Sequence, residues 1–170
     1  NGGILGNGLA LAVGGDGQPV LSYSQSIPGY GARAGSSPDS QGDVLVRPRL
    51  ATRDGGAWRL ETLPPLDQGE PILITSVALD AANAPHVSYR DSLHSEMTYA
   101  HRDGASWVAE PVSNEVRNPD NALVVDPLGR PMVAFFRGSH PMLATRGAAG
   151  WQVEAIQSIP GGPIDGGIDL

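Results

Sequence analysis

One unit occurs three times along this chain, and that repeat limits the possible folds more than any other feature of the sequence. Each unit opens with a mostly apolar segment of five residues, continues through a turn to a proline, and ends near a tryptophan. The opening segments are residues 9–13, 75–79 and 121–125, the prolines are Pro19, Pro85 and Pro131, and the tryptophans are Trp58, Trp107 and Trp151. The pattern indicates a supersecondary unit that buries its apolar faces by stacking on copies of itself.

The spacing of the units locates one insertion. Val13 and Leu79 are 66 residues apart, whereas Leu79 and Val125 are 46 apart and Val125 and Leu170 are 45 apart. The extra residues of the first unit lie within 24–44, where Gly, Ser and Pro are frequent and predict a long irregular loop. Residues 167–170 align with the opening segments, so we expect them to begin a fourth unit.

Each unit predicts four short strands. The opening segment is apolar almost throughout, which is typical of a strand buried on both faces. A turn, a second strand, a third strand and a Gly-rich turn follow, and the tryptophan then begins an outer strand that carries a glutamate three residues later. No helical period is present. We therefore predict one segment over residues 1–170, with units at about 9–63, 75–112 and 121–156 and the start of another at 167–170.

These units resemble the blades of bacterial secreted β-propeller proteins, which read approximately Ala-x-Asp-x-x-Gly-x-Pro-x-x-x-Tyr, then Tyr-Ala, then Asp-Gly-x-x-Trp. The resemblance implies an all-β fold: three four-stranded antiparallel blades plus the first strand of a fourth. The period is too long for a coil of a parallel β-helix and too regular for a β-sandwich. Because a closed propeller has roughly four to eight blades, the remaining blades are expected from the same longer polypeptide or from another chain.

Composition excludes several classes of function. Eighteen acidic residues against eleven basic ones give a net charge of −7, which disfavours binding to nucleic acid. The absence of cysteine excludes disulfides, iron–sulfur clusters and thiol chemistry. No apolar run approaches the roughly 20 residues of a membrane-spanning helix. The 23 glycines and 15 prolines suit an extracellular, periplasmic or cell-surface β protein.

The repeated aspartates and arginines favour structural roles, because a catalytic residue is needed only once. Asp80 and Asp126 share one turn position, where a carboxylate can accept hydrogen bonds from the backbone of the turn. Asp54 and Asp103 precede a Gly-x-x-Trp turn that is similar to the Asp-box of sialidase-like propellers, although here the aspartate stands four residues before the tryptophan and not five. One further repeated position holds arginine in every unit, so we expect these side chains to be spread around the ring: Arg53, Arg102 and Arg146.

The histidines do not form a metal-binding motif. His86 occupies the place of Val20 and Met132, which favours a packed side chain, and His101 and His94 have no partner at ligand spacing. We therefore predict no metal ion and no cofactor, and we assign no catalytic residue.

Binding is expected in the loops of one face, because loops on a rigid scaffold carry most ligand contacts. These are loops 24–44, 90–96 and 137–141 and connectors 64–74, 113–120 and 157–166. The candidate ligand-binding residues are Tyr30, Arg33, Arg90, Asp91, His94, Arg117, Arg137 and His140. The predicted function is a non-catalytic scaffold that binds a glycan or a protein partner; the alternative is part of a propeller-type glycosidase or lyase acting on polysaccharide, with catalytic residues partly outside this chain.

Overall fold

The protein is built from twelve β-strands. A computed structural model describes residues 5–27, 45–64, 74–91 and 94–156, and within these ranges the regular structure consists only of strands and turns. The strands form three four-stranded antiparallel sheets, each in chain order. This confirms the predicted all-β fold and its three four-stranded blades, which we number 1 to 3.

The strand bounds follow the repeat. Blade 1 contains β1 (Leu5–Val13), β2 (Pro19–Ile27), β3 (Leu45–Asp54) and β4 (Ala57–Thr62). Blade 2 contains β5 (Thr75–Leu79), β6 (Pro85–Asp91), β7 (Glu96–Asp103) and β8 (Ser106–Ser113). Blade 3 contains β9 (Asn121–Val125), β10 (Pro131–Arg137), β11 (His140–Gly147) and β12 (Gly150–Ala155).

The turn between the first two strands of each blade has the predicted chemistry. Gly17, Asn83 and Gly129 all have positive φ, at 76°, 63° and 78°, and Gly and Asn adopt this conformation at least cost. Asp80 Oδ1 accepts hydrogen bonds from the backbone N–H groups two and four residues later, at 2.9 and 2.8 Å. Asp126 Oδ1 does the same at 2.8 and 2.9 Å. The repeated aspartates therefore fix turns, and the hydrogen bonds they accept hold the pKa of Asp126 below its usual value.

The core lies between consecutive blades. The inner strand of blade 2, β5, lies against the inner strands β1 and β9 of the blades on either side. Burial of apolar area between the blades provides the main stabilisation. The first cluster joins blades 1 and 2 through Val20, Leu50, Leu63, Val77, Val87, Tyr89 and Ala100. The second joins blades 2 and 3 through Met97, Tyr99, Val112, Val116, Leu123, Val133, Phe135, Met142 and Ala144.

One buried polar pair fixes each junction near the inner strands. Ser22 Oγ and Thr75 Oγ1 are hydrogen bonded at 2.8 Å between blades 1 and 2. Ser88 Oγ donates to Asn121 Oδ1 at 2.6 Å between blades 2 and 3. The two pairs occupy the same repeat positions. Each gives a buried hydroxyl or amide the hydrogen-bond partner that burial requires.

The prediction that every inner strand is buried holds for blades 2 and 3 and is wrong for blade 1. Val77 and Leu123 are 7% and 5% exposed, whereas Leu9, Leu11 and Val13 are 69%, 61% and 62% exposed. The cause is the missing neighbour: among the described residues, no blade packs on the side of β1 away from β5.

The tryptophans differ for the same reason. Trp107 and Trp151 are half-buried in equivalent places against the preceding blade, but Trp58 is 49% exposed. The expectation of three equivalent, substantially buried tryptophans is therefore wrong for blade 1, which has no preceding blade among the described residues.

Several strands extend further than the sequence suggested. Strand β2 continues to Ile27, so only residues 28–44 remain of the predicted insertion at 24–44, and β6 continues to Asp91 into the predicted loop at 90–96. The predicted loop at 137–141 shortens to a turn, because β10 continues to Arg137 and β11 begins at His140. Residues 28–44, the connector residues 65–73 and 157–166, and the predicted fourth-blade strand at 167–170 lie outside the described residues. The prediction of a fourth blade stays a prediction.

Candidate functional site

A glutamate, an arginine and a tryptophan meet where consecutive blades join on their outer side. Glu110 in blade 2 accepts hydrogen bonds from Arg146 Nε at 2.6 Å, Arg146 Nη2 at 3.1 Å and Trp151 Nε1 at 3.0 Å. Arg146 holds the pKa of Glu110 below its usual value, and Glu110 raises the pKa of Arg146.

The same arrangement joins blades 1 and 2. Glu61 accepts hydrogen bonds from Arg102 and from Trp107 Nε1, the latter at 3.1 Å. We call each such group of three side chains a junction clamp. Arg102 and Arg146 therefore lie at separate junctions, as their repeated position predicts. The repeated glutamate was visible in the sequence, but its partners were not, because they come from the next blade.

A buried aromatic cluster lies inside the junction of blades 2 and 3. His86 is 9% exposed, and its Nδ1 atom is hydrogen bonded to the hydroxyl of Tyr99. The ring of His101 stacks on Tyr99 at a centroid distance of 5.2 Å. Burial lowers the pKa of His86, which favours its neutral form, and burial raises the pKa of Tyr99. His86 is the packed core histidine that its repeat position predicted.

Within the described ranges, no group of three or more His, Cys, Asp or Glu side chains is arranged to bind a metal ion. These ranges also contain no helix that is long and apolar enough to cross a membrane.

Of the loops expected to bind a ligand, the described parts of 90–96, 113–120 and 137–141 meet at one edge of the sheets. Strand β8 ends beside the start of β7, with Ser113 paired to Met97, and the connector that follows β8 leads to β9. The β10–β11 turn lies at the same edge, because Arg137 at the end of β10 reaches Ser113 of the neighbouring blade. We define the connector face as residues 94–95, 113–120 and 138–140.

Two arginines donate hydrogen bonds to residues of the connector face, one to the backbone and one to a side chain. Arg90 Nε donates to the carbonyl oxygen of Val116 at 2.6 Å, and the Val116 amide donates to the Ser95 carbonyl at 2.8 Å. Arg137 Nη2 donates to Ser113 Oγ at 2.6 Å. Both arginines are half-buried at the ends of strands. Their hydrogen bonds tie the connector between blades 2 and 3 to both blades.

An aspartate and a histidine order the adjacent turn. Asp91 is 7% exposed, and its carboxylate contacts His94 Nδ1 at 2.7 Å and accepts a hydrogen bond from the His94 amide at 3.4 Å. The His94 side chain itself is 55% exposed. The pair therefore fixes the turn while leaving much of the imidazole accessible to solvent.

The described candidate residues fall into two groups, one that supports the loops and one that is exposed to solvent. Arg90, Asp91 and Arg137 contact the backbone or side chains of the loops, whereas Arg117 and His140 are exposed on the surface. Tyr30 and Arg33 lie outside the described residues. Sequence reasoning missed the roles of Ser113 and of the Val116 carbonyl, and no sequence signal distinguishes a serine or a backbone carbonyl that receives such a hydrogen bond.

The connector face is polar. Most exposed large hydrophobic side chains of the described residues are elsewhere, in blade 1, on outer strands and in the β9–β10 turn. Ile156 is outside the connector face but at the same edge of blade 3, where its amide donates to the Pro141 carbonyl at 2.9 Å. The exposed residues of the connector face include Asn114, Glu115, Arg117 and His140. Glu115 has a φ of 60°, a conformation uncommon outside glycine, which indicates that the surrounding connector holds its backbone in place.

Comparison with known proteins assigns no family. No protein-family model matches the chain, and no curated protein matches it. Among solved structures, a fucose lectin from Kordia zhangzhouensis, determined in complex with methyl-fucoside, is similar over 89% of this chain and 100% of the lectin chain, with 16% sequence identity and a TM-score of 0.45. A similarity this low carries no conclusion about this protein. The resemblance to sialidase-like propellers stays a prediction.

Proposed function

We propose that this protein is a non-catalytic β-propeller scaffold that binds a glycan through the connector face. The observation that carries the proposal is the use of charged side chains to order that face: Arg90 and Arg137 hold the connector, and Asp91 holds the turn beside it. Ordering the loops before binding reduces the entropy that a ligand must otherwise offset. A secreted, periplasmic or cell-surface location fits this role.

The exposed groups of the face suit a ligand rich in hydroxyl groups. Arg117 offers a planar set of N–H donors, His140 offers a donor and an acceptor, and Asn114 offers both an amide donor and a carbonyl acceptor. The absence of exposed large hydrophobic side chains from the described residues of this face favours a sugar over a protein partner, because the buried centre of a protein interface is depleted in charge and rich in aromatic and apolar groups.

A glycan array followed by calorimetric titration of the best ligand tests this proposal. The double variant Arg117→Ala/His140→Ala should bind that ligand at least about tenfold more weakly, since loss of two direct hydrogen bonds removes roughly 1.4 kcal/mol or more. Arg59→Ala is the matched control, because Arg59 is an exposed arginine on the outer strand of blade 1 and its side chain is 67% exposed. The proposal is refuted if no glycan on the array binds, or if Arg59→Ala weakens glycan binding as much as the double variant does.

A further inference from the structure

A small cavity lies between blades 1 and 2, at the end of the strands opposite the connector face. We call it the turn cavity, because the β1–β2 and β5–β6 turns border it. Its volume is about 130 Å³, and its lining includes Asp16, Val20 and Thr52 of blade 1 and Leu79 and Asn83 of blade 2. Asp16 and Asn83 are exposed, whereas Val20 is buried. The cavity therefore has a polar mouth that is open to solvent and an apolar floor.

Two small side chains create this cavity. At the junction of blades 2 and 3, the repeat positions of Val20 and Thr52 hold His86 and His101, whose rings are nearly parallel with centroids 6.4 Å apart. The two imidazole rings occupy the space that Val20 and Thr52 leave open. Packing between blades does not require the cavity, because the next junction fills the same position with larger side chains.

A glycine lets two polar side chains converge at the mouth of the cavity. Blade 1 has Gly14 where the other two blades have aspartate, and a Cβ atom there would lie 2.5 Å from Asp16 Oδ1 and 3.0 Å from Asn83 Oδ1. Asp16 Oδ1 accepts a hydrogen bond from the Gln18 amide at 3.0 Å, and Asn83 Oδ1 accepts one from the Gly15 amide at 2.8 Å. These bonds hold both side chains in place, and among the described residues no partner occupies Asp16 Oδ2 or the Asn83 NH2 group.

Arg53 also lines the turn cavity and contributes guanidinium N–H donors. Its counterparts Arg102 and Arg146 each bind a glutamate of the preceding blade, whereas Arg53 has no carboxylate partner in the part of the chain that the structure describes. The charges of Arg53 and Asp16 balance each other, so the lining favours a neutral ligand that both donates and accepts hydrogen bonds.

We propose that the turn cavity binds one neutral sugar unit. The C–H groups of the sugar ring pack on Val20 and Leu79, and its hydroxyl groups donate to Asp16 Oδ2 and accept from Asn83. An engineered cavity of about 150 Å³ holds a benzene molecule, so the turn cavity has room for a six-membered ring whose outer hydroxyl groups remain in solvent. The turn cavity and the connector face lie at opposite ends of the strands, and binding at one does not require binding at the other.

NMR titration of the isotope-labelled protein with D-glucose, D-galactose, D-mannose and N-acetyl-D-glucosamine tests the proposal. A ligand of about 12 non-hydrogen atoms is expected to bind with a dissociation constant on the order of 1 mM. At least one of these sugars should shift the amide signals of residues 14–18 and 80–84. The same shifts should persist in Arg117→Ala/His140→Ala, which removes the exposed polar groups of the connector face.

Two variants close or weaken the site. Thr52→His should weaken binding of that sugar at least about tenfold, because the imidazole fills the cavity as His101 does in the next junction. Asn83→Gly should weaken it about three- to tenfold, because one hydrogen-bonding group is lost while glycine keeps the positive φ of this position. Thr145→His is the matched control: it makes the same change at the equivalent position of blade 3, away from the cavity, and should bind like the wild type.

The proposal is overturned if none of the sugars shifts residues 14–18 and 80–84, or if Thr145→His weakens binding as much as Thr52→His does. If Thr52→His does not give the spectrum of a folded protein, Asn83→Gly decides, and unchanged binding in that variant overturns the proposal. Loss of the shifts in Arg117→Ala/His140→Ala also overturns it, because the sugar then binds at the connector face. That outcome supports the glycan site proposed there, so the two proposals fail separately.

Discussion

Removing the glutamate of an internal junction clamp should measurably loosen the contact between blades. In Glu110→Ala, Arg146 loses two acceptor contacts, at 2.6 and 3.1 Å, and Trp151 Nε1 loses one at 3.0 Å. A hydrogen bond to a charged group contributes about 1.5–3 kcal/mol, and water can replace part of this interaction when the site is partly open. The side chains of Arg146 and Glu110 are 34% and 27% exposed. After allowance for solvent screening, we expect a loss of about 2 kcal/mol in the free energy of unfolding.

Urea unfolding followed by tryptophan fluorescence measures this loss as a lower midpoint at an unchanged slope. Glu154→Ala is the matched control, because the same repeat position is exposed there. This variant should change the free energy of unfolding by less than about 0.5 kcal/mol. Equal losses in the two variants would refute the clamp as an element of stability, as would a loss below about 0.5 kcal/mol in Glu110→Ala.

The same clamp predicts a pH dependence. Arg146 depresses the pKa of Glu110 in the folded state, so the ionised carboxylate contributes stability above its unfolded pKa of about 4.3. This contribution is lost as the pH falls through the lower, folded-state pKa. The difference between wild type and Glu110→Ala should therefore be full at neutral pH and shrink in acid.

Two further predictions concern the blade junctions. Trp107→Ala should lower the free energy of unfolding by about 2–4 kcal/mol because it removes a half-buried side chain, whereas Trp58→Ala should cost less than about 1 kcal/mol because Trp58 is 49% exposed; similar urea midpoints would contradict this difference. His86 faces Asp80, Tyr99 and His101, and burial lowers its pKa. The buried neutral imidazole therefore contributes its full stability above the unfolded pKa of about 6.5, and this contribution falls as the pH decreases toward the lower, folded-state pKa. His86→Met, which installs the residue found at the equivalent position of blade 3, should flatten stability between about pH 7.5 and 5.5, and an unchanged slope would exclude His86 as its source.

Local chemistry made the repeat and its turns predictable. The aspartates at Asp80 and Asp126 and the residues with positive φ at Gly17, Asn83 and Gly129 act within a few residues of themselves, so the sequence around each turn contains all the atoms involved. The number of strands in each blade followed from the same local pattern, because apolar segments joined by short turns usually pair with the segments next to them in the sequence.

The candidate site was less predictable, because its order depends on residues far apart in the sequence. The sequence predicted that Arg90 and Arg137 lie in loops, whereas strands β6 and β10 extend to include them. Arg90 donates a hydrogen bond to Val116 in the connector that follows its own blade, and Arg137 donates one to Ser113 of the preceding blade. Nothing near Arg137 in the sequence indicates that Ser113 will lie beside it.

The sequence by itself determined the blade: its strands, its turns and the positions that repeat. Only the tertiary structure decided which repeated positions are buried, because burial depends on whether another blade packs against that face. Leu11 and Val77 occupy one repeat position, yet the first is 61% exposed and the second 7%, since β5 has an inner strand on each side and β1 has a described neighbour on one side only. Local sequence specifies how a strand pairs with the next one along the chain, whereas the contact between blades joins residues some 40 positions apart, such as Glu61 and Arg102, whose meeting depends on the stacking of whole sheets.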